Sequence, residues 1–129
     1  MLPDLEALLA GYGLYAKQNR FAPDCDEGRL AEALGEARAL AGSHPPDEPA
    51  ALVFAFTRRP RTFGKAHGRM TLHLTLEHAR ALGLGLTTDV GVLELMRARV
   101  LRKAIDFEEL RAWFTAHLVP VPRKPWPPG

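Results

Sequence analysis

Apolar residues recur at three- and four-residue spacings along most of this chain, and that periodicity limits the folds open to it. Only the segment 72–76 alternates as an exposed strand would, and its length and flanks favour a helix instead. The pattern predicts six helices, at 3–15, 26–41, 46–58, 69–82, 89–101 and 106–118. We therefore expect an all-α fold.

Two of the predicted helices have almost no polar face. The segment 50–56 reads Ala-Ala-Leu-Val-Phe-Ala-Phe, and the helix at 69–82 is apolar over most of its circumference. A helix that is apolar on nearly every side is buried by its neighbours. The expected architecture is a compact bundle of about six helices around a buried central helix, which we expect to be the helix at 69–82.

Local signals set the ends of the domain. Asp106 followed by Glu109 has the spacing of a capping box, which predicts the start of the last helix. Five of the eleven residues after Leu118 are proline, a composition typical of an extended segment. The sequence predicts one helical domain at 1–118 and a proline-rich C-terminal tail at 119–129.

Composition fits an ordinary globular domain. A chain of 129 residues with 47% apolar and 25% charged residues can bury a core of its own. The single cysteine, Cys25, excludes an internal disulfide, and no apolar run approaches the roughly 20 residues that span a bilayer. We expect a cytoplasmic protein with no membrane partner. The net charge of +2 makes nucleic acid an unlikely partner.

Charge is distributed unevenly along the chain. Residues 49–76 include no aspartate or glutamate, and five basic residues fall within that stretch. They are Arg58, Arg59, Arg61, Lys65 and Arg69. These cations are interleaved with glycines at positions 64 and 68, immediately before a predicted buried helix.

A basic loop that contains glycines and runs into a helix N-terminus can bind an anion. Free backbone N–H groups and the helix dipole point at the same place, and glycine lets a ligand approach the backbone closely. We expect Lys65, His67, Gly68 and Arg69 to bind a phosphate or nucleotide. The alternative is a solvated basic surface with two turn glycines.

The loop also resembles a known motif. It reads Arg61-Thr62-Phe63-Gly64-Lys65-Ala66-His67-Gly68-Arg69, which is similar to the His-Pro-Phe-x-x-Gly-Asn-Lys(or Gly)-Arg motif of the Fic/Doc family, death-on-curing type. Phe63, a structural residue of the motif, and Arg69 are kept, and Gly68 is an accepted variant. The stretches 26–34, 50–57, 69–83 and 105–113 resemble other parts of the family in the same order, so the resemblance covers about 2–118.

This resemblance implies a fold and a class of activity. In the family the motif lies between two buried helices. Members of this type are toxins of toxin–antitoxin modules, which transfer a phosphoryl group or AMP from ATP onto a hydroxyl of a protein target. The resemblance therefore implies ATP or another nucleotide as ligand, an antitoxin-like protein partner and a protein target.

Four functional positions of the motif differ in this chain. Arg61 occupies the position of the histidine that acts as general base, and a guanidinium stays protonated and cannot accept that proton. Lys65 replaces the acidic magnesium ligand, so we expect no metal. Ala66 replaces a glycine and His67 an asparagine that contacts phosphate. His67 is the remaining candidate for a base.

The sequence thus predicts a diverged Fic/Doc-like protein that binds a phosphate or nucleotide at 61–69 without the usual ATP-dependent transfer. One alternative is an active phosphotransferase or AMP-transferase toxin with relocated catalytic groups, drawn from Lys65, His67 and Arg69. The other is a module that binds a nucleic-acid backbone.

Overall fold

The computed structural model describes residues 2–124, which form six α-helices. In chain order these are α1 (Leu5–Gln18), α2 (Glu27–Ala41), α3 (Glu48–Thr57), α4 (His67–Ala81), α5 (Val90–Leu101) and α6 (Phe107–His117). Short 3-10 turns at Pro45–Asp47 and Gly64–Ala66 precede α3 and α4. The expectation of an all-α bundle is confirmed. No helix within 2–124 combines the length and apolar character needed to cross a membrane.

The helix α3, rather than the helix expected at 69–82, lies at the centre of the bundle. It contacts α2, α4, α5 and α6, and nine of its ten residues are buried, whereas α4 buries seven of its fifteen. One core cluster packs Leu8, Leu34, Phe56, Phe63, Met70 and their neighbours between α1, α2, α3 and α4. A second cluster packs Val53, Leu93, Leu110 and Phe114 between α3, α5 and α6. The two clusters pack on different sides of α3, which explains why this helix is apolar around nearly its whole circumference.

Four helices have an aspartate as their N-terminal cap. Asp4, Asp26, Asp89 and Asp106 each accept a hydrogen bond from a backbone N–H in the first turn of the helix that follows. At α6 the Glu109 side chain also accepts a hydrogen bond from the backbone N–H of Asp106, so the predicted capping box is confirmed. These caps satisfy N–H groups that a helix cannot satisfy by itself.

Two short strands were not predicted. The strands β1 (Leu84–Leu86) and β2 (Leu118–Pro120) pair antiparallel, with Leu84 opposite Pro120. The chain then continues beside the end of α4, since the N–H of Val121 donates to the Gly83 carbonyl at 2.9 Å and the N–H of Lys124 to the Arg80 carbonyl at 3.0 Å. The predicted boundary between domain and tail, at 118/119, therefore falls inside β2. The rest of that predicted tail, from 125 to 129, lies outside the described residues.

Candidate functional site

The residues 58–69, here called the basic loop, comprise the connection from α3 to α4 and the first three residues of α4. Phe63 lies at the centre of the loop and is fully buried, stacked on Phe56 of α3 at 5.6 Å between ring centroids. The Tyr12 ring of α1 packs against it at 4.8 Å. Phe63 therefore fixes the loop to the first core cluster, and the basic side chains on either side of it stay at the surface.

Residues from α1, from α2 and from the segment between them hold the loop backbone in place. The N–H of Asp26 donates to the Thr62 carbonyl at 2.9 Å, and the Arg29 guanidinium donates to the Pro60 carbonyl at 2.6 Å. The Tyr12 hydroxyl accepts from the N–H of Asp24 at 3.0 Å, and its single proton is shared between the Asp24 carbonyl at 2.9 Å and the Phe63 carbonyl at 3.2 Å. The hydrogen bonds at Pro60 and Thr62 therefore fix the conformation of the loop.

Two loop residues adopt positive φ angles, Arg61 at 67° and Gly64 at 56°. Glycine reaches this region without strain, whereas an arginine does so at a cost in energy. Gly64 has a second constraint: a Cβ at this position would lie 2.7 Å from the Asp24 carboxylate oxygen. The Gly64 end of the loop thus has a carboxylate beside it, which disfavours anion binding there.

His67, the first residue of α4, is buried and bonded within the protein. Its Nε2–H donates to the Phe56 carbonyl at 2.7 Å, and its Nδ1 accepts from the N–H of Phe63 at 3.4 Å. Burial lowers the pKa of His67 despite the Phe56 carbonyl, and the charges of Arg97 and Arg29 lower it further. The ring is neutral with both nitrogens engaged, so it could contact a phosphate only by giving up one of these hydrogen bonds.

The cations of the loop fall into two groups. Arg58 and Arg59 reach back to α2, where both guanidiniums lie within 3.3 Å of Glu36 carboxylate oxygens. Arg61, Lys65 and Arg69 are exposed, and within the described part of the chain none of them forms an ion pair with a carboxylate. The Arg69 guanidinium instead covers the Phe21 ring at 5.4 Å. Three positive charges are therefore free at the surface.

A further cation, Arg97 of α5, lies beside the start of α4. Its guanidinium nitrogen is 3.2 Å from the place that a Cβ on Gly68 would occupy. Glu94 holds it from one turn away through two hydrogen bonds, at 2.9 and 2.6 Å. Sequence reasoning missed Arg97, because an arginine paired with a glutamate three residues earlier is what any surface helix shows.

The site therefore has two differently charged parts. Arg97 lies against Gly68 at the start of α4, and the exposed Arg69 follows in the same turn. Asp24 lies beside Gly64, and the exposed Lys65 comes next in the chain. Among residues 2–124 no group of three histidine, cysteine, aspartate or glutamate side chains is placed to hold a metal ion. The basic side chains of the site can bind an anion through their fixed positive charge.

Comparisons with protein-family models, with curated proteins and with solved structures find no match to this chain. The Fic/Doc relationship therefore stays a prediction from motif and order of segments.

Proposed function

We propose that this chain is a diverged Fic/Doc-like protein that binds the phosphate groups of a nucleotide or similar anion at the start of α4 and does not transfer them. The observation that carries the proposal is the set of three exposed cations, Arg61, Lys65 and Arg69. They have no carboxylate partner among the described side chains, although Arg58 and Arg59 of the same loop are paired.

The start of α4 adds its own attraction for an anion. No side chain caps this helix, and the backbone N–H of His67 donates to the Gly64 carbonyl, so the positive end of the helix dipole is what attracts an anion here. The Arg97 guanidinium lies against the first turn, because it occupies the space that a side chain on Gly68 would take. Burial is the main cause of the lowered pKa of His67, and the charges of Arg97 and Arg29 lower it further.

The placement of the loop supports the family relationship. It joins the buried helix α3 to α4, and Gly83 follows shortly after α4 ends, as the family's motif arrangement leads one to expect. The stretches that resemble the family span about 2–118 of the chain. The antitoxin-like partner and the protein target rest on the resemblance alone.

We expect no transfer of a phosphoryl group or AMP because of the side chains at two positions of the motif. Arg61, at the position of the family's base, is always protonated, and Lys65 cannot ligate a cation. His67, the alternative base, has its basic nitrogen Nδ1 occupied by the N–H of Phe63. Fixed guanidinium and ammonium charges can hold phosphate groups by charge-assisted hydrogen bonds where the family uses magnesium.

Isothermal titration calorimetry with ATP, ADP and inorganic triphosphate tests the binding. We expect ATP to bind in EDTA, and no more tightly with magnesium present. The variants Lys65→Gln and Arg69→Gln are each expected to weaken binding about tenfold, the value of one charge-assisted hydrogen bond.

Arg80→Gln is the matched control, because Arg80 is exposed at the opposite end of the same helix. It is expected to leave affinity unchanged. Equal loss from Arg80→Gln and Arg69→Gln would show that only net charge matters and would overturn the proposed site. Binding that requires magnesium would overturn the fixed-charge mechanism.

Incubation with ATP labelled at the α- or γ-phosphate, in a bacterial extract, tests the absence of transfer. We expect no labelled protein above a heat-inactivated control. Label that depends on Lys65 would instead establish an active transferase. Binding to random duplex DNA that falls steeply with salt, and exceeds the affinity for ATP, would favour the nucleic-acid alternative.

A further inference from the structure

A cavity of about 670 Å³ lies between the C-terminal ends of α3 and α5 and the N-terminal end of α6. This volume is within the range of pockets that hold small organic molecules. Its apolar lining consists of Phe54, Val100, Leu101, Ala104 and Ile105, with Pro60 at the edge. The cavity lies on the side of α3 that faces the second core cluster.

The cavity has an apolar wall and a balanced rim. Leu101 is a large apolar side chain left 53% exposed, and it forms part of this lining. The rim of the cavity also carries two cations, Arg58 and Lys103, and two carboxylates, Asp106 and Glu109. Because the two carboxylates are engaged in the α6 capping box and the charges balance, the rim selects neither an anion nor a cation.

Thr57, the last residue of α3, also lines this cavity and is only 1% exposed. Within the described chain it is the buried side chain whose hydroxyl oxygen has no hydrogen-bond partner. Other helical threonines here satisfy the hydroxyl by donating to the carbonyl four residues earlier: Thr71 to His67, Thr75 to Thr71, and Thr115 to Arg111. A buried polar group left without a partner calls for an explanation, since nearly all such groups are bonded.

We propose that this cavity binds a small, largely apolar, uncharged molecule that carries one hydrogen-bonding group, and that this group bonds to the Thr57 hydroxyl. The apolar lining takes the body of the ligand, and a small rotation of the Thr57 side chain brings the hydroxyl to it. Arg58 and Pro60 belong to both the cavity and the basic loop, so an occupied cavity contacts the loop directly. Ligand binding in this cavity does not depend on whether the basic loop binds phosphate.

Phenol and toluene are suitable probes, because they share ring and size and only phenol carries a hydroxyl. In two-dimensional amide NMR titrations, we expect phenol to shift the resonances of Leu101, Ala104 and Ile105 saturably. We expect it to bind at least severalfold more tightly than toluene. No saturable shift of these amides with either probe would overturn the proposal.

Thr57→Val removes the hydroxyl and keeps the shape of the side chain. We expect this variant to unfold at the same or a higher temperature than wild type and to lose its preference for phenol over toluene. Thr115→Val, at an exposed threonine whose hydroxyl is already bonded, is the matched control and should keep that preference. A preference that survives in Thr57→Val would show that the hydroxyl does not contact the ligand.

Ala104→Phe provides a second, independent variant, because a ring at this lining position occupies the cavity. Both probes are expected to lose saturable binding in this variant. If they bind Ala104→Phe as they bind wild type, the shifts arise elsewhere and the cavity is excluded as their site.

Discussion

Gly64 and Gly42 both have positive φ angles, at 56° and 57°, in different surroundings. A Cβ on Gly42 would meet nothing within 4 Å, whereas a Cβ on Gly64 would lie 2.7 Å from an Asp24 oxygen. Gly42 also has ψ −130°, a combination that essentially only glycine adopts. Backbone strain is therefore the constraint at Gly42, and a steric contact is added to it at Gly64.

Replacing each glycine by alanine is expected to measure the two costs. Gly42→Ala should lower the free energy of unfolding by about 1–3 kcal/mol, because its φ and ψ angles lie in a region that residues with a side chain avoid. Gly64→Ala should lose about 2 kcal/mol or more, because the Asp24 carboxylate must also move. Urea denaturation of both variants checks this.

Asp24→Ala in the background of Gly64→Ala is the control for the clash. The loss caused by Gly64→Ala should be smaller in the Asp24→Ala background than in the wild-type background. Equal losses in the two backgrounds would mean that Asp24 does not constrain the loop.

At the scale of elements, the capping box of α6 contributes stability through local contacts. The N–H of Glu109 donates to the Asp106 carboxylate at 2.9 Å, and the N–H of Asp106 donates to the Glu109 carboxylate at 3.2 Å. Two backbone donors at the helix start are satisfied within four residues. This local character explains why the box was visible in the sequence.

Asp106→Ala is expected to lower the free energy of unfolding by about 1 kcal/mol, the usual cost of losing a helix cap. Glu108→Ala is the matched control in the same turn, because its exposed ion pair with Arg111 should contribute less than about 0.5 kcal/mol. Thermal and urea unfolding of both variants measure the difference. If Glu108→Ala costs as much as Asp106→Ala, the effect comes from helix charge rather than from capping.

Features that depend on neighbours in sequence were predictable, and features that depend on distant neighbours were not. The helix at 26–41 and its stop at Gly42 follow from local apolar spacing and a turn residue. The pairing of Leu86 with Leu118 does not, because strands of three residues are too short to show a period.

The same distinction holds for the candidate site. The charge and glycine content of the loop are properties of the sequence, so the loop itself was found. The burial of His67 between Phe56 and Phe63 depends on how α3 and α4 pack, and Arg97 reaches Gly68 from a different helix. Such contacts join residues that are far apart in the sequence, and a short sequence pattern cannot reveal them.

At the scale of the whole molecule, three histidines connect core packing to pH. Burial is the main cause of the lowered pKa values of His67, His73 and His78. The His78 ring lies 2.8 Å from the Glu48 carboxylate, which favours the charged form, and burial outweighs it. In each case folding favours the neutral ring.

A lowered pKa in the folded state means that the unfolded chain binds protons more readily. The stability linked to these rings is therefore present above the ordinary histidine pKa of 6.5 and is lost as the pH falls below it. We expect the urea midpoint to be lower at pH 5.0 than at pH 7.5.

His73→Gln tests the origin of that decrease, since His73 is half-buried against the Tyr15 ring and glutamine has no proton to gain. This variant is expected to show a smaller drop between the two pH values than wild type. An unchanged drop would assign the pH dependence to other groups.

The left-handed backbone of Arg61 has a consequence for how stability and binding are related in this protein. A glycine would adopt φ 67° without strain, so Arg61→Gly should raise the free energy of unfolding by about 0.5–1 kcal/mol. The same change should weaken ATP binding, measured by calorimetry on the same samples. If the variant is more stable and binds equally well, Arg61 has no part in the site. If stability rises while affinity falls, the loop is a place where the chain has given up stability to keep a charge in position.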